Sequence, residues 1–238
     1  MPSSPACRHE SSATCERRIE LAQGSSQALL IFPCNGNAIE ALDCLGPAYR
    51  FVGFVDDTPK KQRDGAFGHT VFPRAALDEQ SSCRVLAVPG SPATYVARKE
   101  LIEGLGIDIR RYAQVMHPSA QISSAATIGY NVLAMAGVVI TSNAIIGNHV
   151  CLLPNTVVHH DSKVGDWSMI GTNVTIAGGV DVGENCFIGS GSSIMNGVRI
   201  GDRALIGLGS TVIRDVPADA VAAGNPARIL RCAGDIQT

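Results

Sequence analysis

Large rings are scarce in this 238-residue chain: aromatic residues make up 5% and Trp167 is the single tryptophan. An interior built on stacked rings is therefore excluded, and a narrow core of aliphatic side chains is favoured. No apolar run is long enough to span a bilayer, and Met1 to Gln27 lack the apolar centre of a secretion signal. These absences imply no membrane partner and a cytoplasmic location. A formal charge of −2 leaves no excess of basic residues for a nucleic-acid surface. The eight cysteines show no paired CxxC spacing, which argues against both a zinc site and a disulfide framework.

What the chain does have is a period. Every sixth residue from Ile122 to Val212 is a compact aliphatic, including Ile140, Ile146, Leu152, Val158, Val164 and Ile170. Small residues such as Ala126, Ser162, Ser168 and Cys186 stand two places earlier, and glycine follows many of the aliphatics, as in Ile128-Gly129 and Ile206-Gly207. Six residues suffice for a short extended segment and a corner, so three units close a triangular coil. Residues eighteen apart then lie above one another at the inter-strand spacing of about 4.8 Å. Ile140, Val158, Ile176 and Ile194 form one inner column in this register. Ordinary sandwich strands vary in length and do not hold a sixfold count over so many units.

Before the repeat the pattern changes. Ala28 to Phe32, Arg50 to Val55 and Arg84 to Val88 read as buried strands; Asn37 to Leu45 and Ala93 to Leu105 read as helices. Alternation of this kind predicts a small Rossmann-like parallel sheet. The expected division is a polar leader over 1–27, an α/β unit over 28–115, and an all-β parallel helix with a C-terminal tail over 116–238. Ligands of such sheets sit at the carboxyl ends of the strands, here Pro33 to Asn37, Asp56-Asp57 and Pro89 to Ser91. Gly36 alone stands where a dinucleotide fingerprint has three glycines, which argues against a nicotinamide cofactor. Asp56 and Asp57 either accept hydrogen bonds from ribose or base, or simply end a strand and start a turn.

The chemistry-bearing segment is Val157-Val158-His159-His160-Asp161, which the period places at a coil corner. A neutral imidazole suits removal of a proton from an attacking amine or hydroxyl, and an adjacent carboxylate fixes its tautomer. Eighteen residues beyond His160 stands Gly178, followed by Gly179. An accessible Gly178 N–H above His160 would stabilise an oxyanion, although these glycines also suit a tight corner. Thr172, Ser190 and Leu208 form another column, suited to an extended cofactor. No Cys or Ser stands beside His160 as a nucleophile, so direct transfer is expected.

The repeat resembles the left-handed parallel β-helix of hexapeptide-repeat acyltransferases. With the preceding sheet and Val55-Asp56-Asp57, the chain is similar to the acyltransferases of nucleotide-linked amino sugars and the related sialic-acid O-acetyltransferases. The resemblance implies left-handed coiling, acetyl-CoA as donor without a metal, a homotrimer, and His160 with Asp161 as the catalytic pair. It further implies a nucleotide-linked amino sugar held by the first unit, with Asn35, Gly36, Asp56 and Asp57 as the candidate contacts; His159 falls where the family has no set role and is read as a neighbour that touches substrate. Coenzyme A would run along Gly178, Gly179, Ser190 and Leu208 to a phosphate partner at Arg228, with Arg214 and Arg231 as further candidates. The first loop, Pro33 to Asn37, departs from the family's glycine-rich version. Leu153 and Met169 stand where the family carries Asn and His near the acyl and acceptor groups. N-acetylation of an amino sugar leads the reading. Sugar O-acetylation and a non-catalytic sugar-nucleotide scaffold stay open, and the histidine spacing argues against a metal hydratase on this scaffold.

Overall fold

The computed structural model describes residues 26–231. Nearly all of the expected leader, with Cys7, His9 and Cys15, and also Cys232, lies outside the described residues. The first unit is a parallel sheet of β1 (Gln27–Phe32), β2 (Tyr49–Val55), β3 (Val71–Phe72) and β4 (Arg84–Ala87), in the order β3-β2-β1-β4. The three strands expected from the sequence are present; β3 escapes that reading because two residues carry no alternation to detect. Between the strands lie α1 (Gly36–Glu40), α2 (Pro59–Asp64) and α3 (Ala76–Glu79), and α4 (Arg98–Glu103) follows β4. Both expected helices are shorter than predicted. Each is divided between a 3₁₀ turn and an α-helix: α1 runs into Ala41–Cys44, and Tyr95–Ala97 precedes α4. Gly104 ends α4, and Gly106 in the left-handed region turns the chain away.

From Val115–Met116 to Thr211–Val212 the chain lays down a two-residue strand every six residues, forming a left-handed parallel β-helix. The first face carries Cys151–Leu152 and Met169–Ile170, the second Val157–Val158 and Thr175–Ile176, and the third Lys163–Val164 and Asp181–Val182. Val158 lies in register with Ile140 below and Ile176 above. These aliphatics are essentially fully buried, each contributing roughly 2 kcal/mol of hydrophobic stabilisation. The coils are joined by backbone bonds such as Val157 N–H to Val174 O at 2.9 Å. The last coil is shorter, with Arg203 pairing to Asp219 sixteen residues on, and a hairpin of Val221–Gly224 and Ala227–Arg231 extends the first face beyond it.

The corners obey a rule of their own. Every sixth residue from Asn131 to Gly209 has a left-handed backbone, which costs an ordinary L-residue roughly 1–2 kcal/mol and Asn or Gly less. Most of these positions are Asn, Asp or Gly, but His149, Trp167 and Arg203 are not. All three lie on the corner between the third and first faces, and that corner is where the first unit docks.

Five successive left-handed residues there each hold the first unit. Asn131 pairs with Ala87, the His149 carbonyl accepts from Arg98, and Trp167 lies under the Lys99 ammonium. Asn185 donates to the Val96 carbonyl and the Arg203 carbonyl accepts from the Tyr95 hydroxyl. The outward side chains of the first face, Leu133, Cys151, Met169 and Phe187, share a core with Leu29, Ile31 and Leu86 of the sheet. The first unit thus covers the first face and leaves the second and third faces open.

Candidate functional site

His160 stands at the corner between the second and third faces, opposite the first face that the first unit covers. His160 and Asp161 side chains are 60% and 57% exposed, and His160 Nδ1 lies 2.8 Å from Asp161 Oδ2. A carboxylate only accepts, so Nδ1 carries the proton and the Nε2 lone pair is free. Asp161 has φ +59°, within the left-handed corner geometry that aspartate tolerates. Its carboxyl is held below the ordinary range, first by the His160 hydrogen bond and then by one from Asn143. Asn143 Nδ2 donates to Asp161 Oδ1 at 3.1 Å from one coil below. The sequence reading missed Asn143, although the eighteen-residue count that found Gly178 also links 143 with 161.

Gly178 lies directly above the imidazole. A Cβ built there would sit 2.7 Å from both His160 Cε1 and Nε2, so any side chain would displace the ring. Gly178 does not have a left-handed backbone; Gly179 does, at φ +68°, with open space around its missing Cβ. The two glycines differ in what they allow: Gly179 makes the corner, and Gly178 leaves room for the imidazole. Gly179 N–H donates to the His160 carbonyl at 3.0 Å, whereas no acceptor among the described residues takes the Gly178 N–H. Asn196, one coil higher, brings Nδ2 to 3.3 Å from the same vacant Cβ position. His159 is half-buried beside His160, its N–H bonded to the Ile176 carbonyl.

Not every predicted residue shares this corner. Thr172, Ser190 and Leu208 occupy the corner between the first and second faces, so the second face separates them from His160. Leu208 is 73% exposed, while the Ser190 hydroxyl accepts from Thr172 N–H at 3.1 Å. Arg214 continues the His160 column upward and meets Arg228 across a cavity of about 200 Å³; Arg231 does not line it. Neither Leu153 nor Met169 lies at the His160 corner of the same chain. Met169 is 3% exposed and packs under Gly90, and Leu153 follows the first face. Within one chain both positions are thus set apart from His160. The cause is the docked first unit, which turns the Met169 face into core.

At the carboxyl end of the sheet the three loops meet as expected and are tied together. Asn35 caps α1 by accepting from Ala38 N–H and donates to the Val88 carbonyl at 3.1 Å. Asp56 is 4% exposed and accepts from Cys34 N–H, Thr58 N–H and Lys61 Nζ. Burial works against its charge, but the Lys61 ammonium and the Thr58 hydrogen bonds hold its carboxyl below the usual range. Of the two readings offered by the sequence, Asp56 thus follows the structural one. Asp57 is exposed and pairs with Arg74, and Gly36 faces open space. Lys61 was missed by the sequence reading; its signal is the five-residue step from Asp56 into α2. Among the described residues no three His, Cys, Asp or Glu side chains gather around one point.

A triangular parallel helix with an exposed histidine–carboxylate pair at one corner defines a class. Residues 143–178 and 179–214 each match the family described as bacterial transferase hexapeptide (six repeats), and the chain as a whole resembles sugar-modifying acyltransferases built on this repeat. Among solved structures it is similar to PerB from Caulobacter crescentus in complex with CoA and GDP-perosamine. That likeness has 29% identity over 86% of this chain and 97% of the other, with a TM-score of 0.72. A histidine-to-alanine variant of the C. crescentus GDP-perosamine N-acetyltransferase, with the same two ligands, matches at 28% identity, 86% and 96% coverage and TM-score 0.73. The acetyltransferase domain of PglB from Neisseria gonorrhoeae shares the fold, with 23% identity over 86% of this chain and 100% of that one and TM-score 0.75. No curated protein matches the chain in sequence. Among the described residues no helix is long and apolar enough to cross a membrane.

Proposed function

We propose that the chain transfers the acetyl group of acetyl-CoA to the amino group of a nucleotide-linked deoxyamino sugar, in the cytoplasm. One observation carries this reading: His160 Nε2 faces the gap left by Gly178, whose N–H has no acceptor among the described residues. The C. crescentus structures, which hold CoA and GDP-perosamine, support the choice of donor and acceptor class.

In the proposed step His160 Nε2 takes a proton from the amine as nitrogen attacks the thioester carbonyl. Asp161 stabilises the imidazolium that forms. The Gly178 N–H donates to the tetrahedral oxyanion, a contribution of about 3 kcal/mol for one well-aimed donor. Collapse breaks the carbon–sulfur bond, and the thiolate leaves with the proton held by His160. Asn35, Gly36 and Asp57 are assigned to the nucleotide-sugar, Asp56 to supporting that loop, and His159 to the acceptor's edge. Arg214 and Arg228 are assigned to the phosphates of coenzyme A.

His160 and the Ser190–Leu208 corner lie on opposite edges of the second face. In the proposed homotrimer, the His160 corner of one copy and the Ser190–Leu208 corner of its neighbour enclose the donor. The test is thiol release from acetyl-CoA with a panel of nucleotide-linked amino sugars and free sugars. Turnover confined to nucleotide-linked amines, and lost in His160→Ala, is expected. Transfer to a hydroxyl would replace the proposal by O-acetylation. Full turnover in His160→Ala would remove the base from the mechanism, and nucleotide binding without coenzyme A binding would leave a scaffold.

A further inference from the structure

A catalytic histidine is only as well aimed as the carboxylate that holds it, and Asp161 is itself more than half exposed. An exposed aspartate samples several rotamers unless its second oxygen is also tied. Here it is tied from the coil below. Asp161 Oδ2 meets His160 Nδ1 at 2.8 Å, and Asp161 Oδ1 accepts from Asn143 Nδ2 at 3.1 Å. Both oxygens are thereby committed, one to the ring and one to the scaffold.

The backbone makes this pairing rigid. Asn143 and Asp161 both have φ +59°, so they occupy the same left-handed step of successive coils and stack with the same orientation. Asp161 N–H is fixed to the Ser142 carbonyl at 3.1 Å, which sets the height of one coil on the other beside the Asn143 side chain. The same corner of the next coil carries Gly179, which has no side chain to compete for the carboxylate from above.

We propose that Asn143 is a positioning residue for the reaction: it holds Asp161 so that His160 keeps its proton on Nδ1 and presents the Nε2 lone pair to the Gly178 gap. The chain Asn143–Asp161–His160 spans two coils and three side chains. The proposal rests on the reading of His160 as the base.

The test uses two variants that respect the left-handed backbone. Asn143→Gly keeps the conformation and removes the amide; Asn143→Asp keeps the size and sets a second carboxylate against Asp161. Nitrogen NMR of histidine-labelled full-length protein, with the His160 signals assigned by their loss in His160→Ala, should show one tautomer in the native chain. A mixture of tautomers is expected in Asn143→Gly. With acetyl-CoA and GDP-perosamine as probes, kcat should fall about tenfold in Asn143→Gly with KM for acetyl-CoA unchanged, and further in Asn143→Asp. An unchanged His160 tautomer in Asn143→Gly would overturn the proposal, as would kcat losses that merely track a fall in Tm. If His160→Ala retains turnover, the proposed function fails instead, whatever the variants of Asn143 do.

Discussion

Asn131 and Ala87 exchange two hydrogen bonds: Ala87 N–H donates to Asn131 Oδ1 at 2.7 Å, and Asn131 Nδ2 donates to the Ala87 carbonyl at 2.8 Å. A side-chain amide thus acts as one more rung on the outer edge of β4. It joins the sheet of the first unit to the docking corner of the β-helix. Exposed strand edges recruit foreign strands, and this one is closed from within the chain.

Asn131→Gly keeps the left-handed backbone and removes both bonds, leaving a buried donor and acceptor on Ala87 without partners. A loss of about 2–4 kcal/mol is expected. Denaturant unfolding should show a lower midpoint, with protease cleavage of the first unit preceding that of the β-helix. An unchanged midpoint would mean that solvent replaces the pair without cost.

Gly178→Ala and Gly179→Ala should fail in different ways. The first places a methyl 2.7 Å from the His160 ring, so kcat should fall at least about 100-fold while the fold persists. The second meets no neighbouring atom but forces alanine into φ +68°, costing about 1 kcal/mol of stability. Parallel Tm and kcat measurements separate the two, and equal kcat losses would refute the division of roles.

His149 gives the docking corner a pH dependence. Burial pushes its imidazole from 6.5 down to about 4, with the positive charge of Arg98 adding to the shift. Because the folded value is depressed, the unfolded chain binds a proton first as pH falls, so stability drops between about pH 6.5 and pH 4. His149→Asn, which suits the left-handed backbone, should flatten that decline. Unfolding midpoints across this range check it; parallel curves for the two proteins would contradict it.

A shared active site predicts complementation. His160→Ala and Leu208→Arg should each abolish turnover, the second by placing a bulky charge in the proposed donor channel between copies. Refolding the two together at equal ratio should restore about a quarter of the native activity, since random assembly leaves that fraction of corners intact on both sides. Sedimentation should report a trimer. Recovery of no activity from mixed trimers would place the whole site within one chain.

The inner column and the stacking of Gly178 over His160 were legible in the sequence because both depend only on counting. Six residues per side leave no freedom once backbone pairing sets the coil. Lys61 and Asn143 were countable but not singled out, and the fate of Asp56 was not legible. Asp56 and Asp57 are adjacent and chemically alike, yet one is buried under Lys61 and the other faces solvent beside Arg74. Only the packing of α2 against the first loop distinguishes them. Asn143 is one of several corner asparagines, and what sets it apart is its neighbour one coil above.

The period by itself determined the prism, its register and the place of the His160–Asp161 pair at one edge, because local sterics and inter-coil hydrogen bonds act identically on every unit. It left the three edges equivalent. Tertiary structure broke that equivalence: the first unit settled on one corner through Asn131, Arg98 and Tyr95, turned the Met169 face into core, and left the His160 edge open to solvent. Contacts between distant segments made that choice, since a repeating pattern cannot specify which of its own sides will be covered.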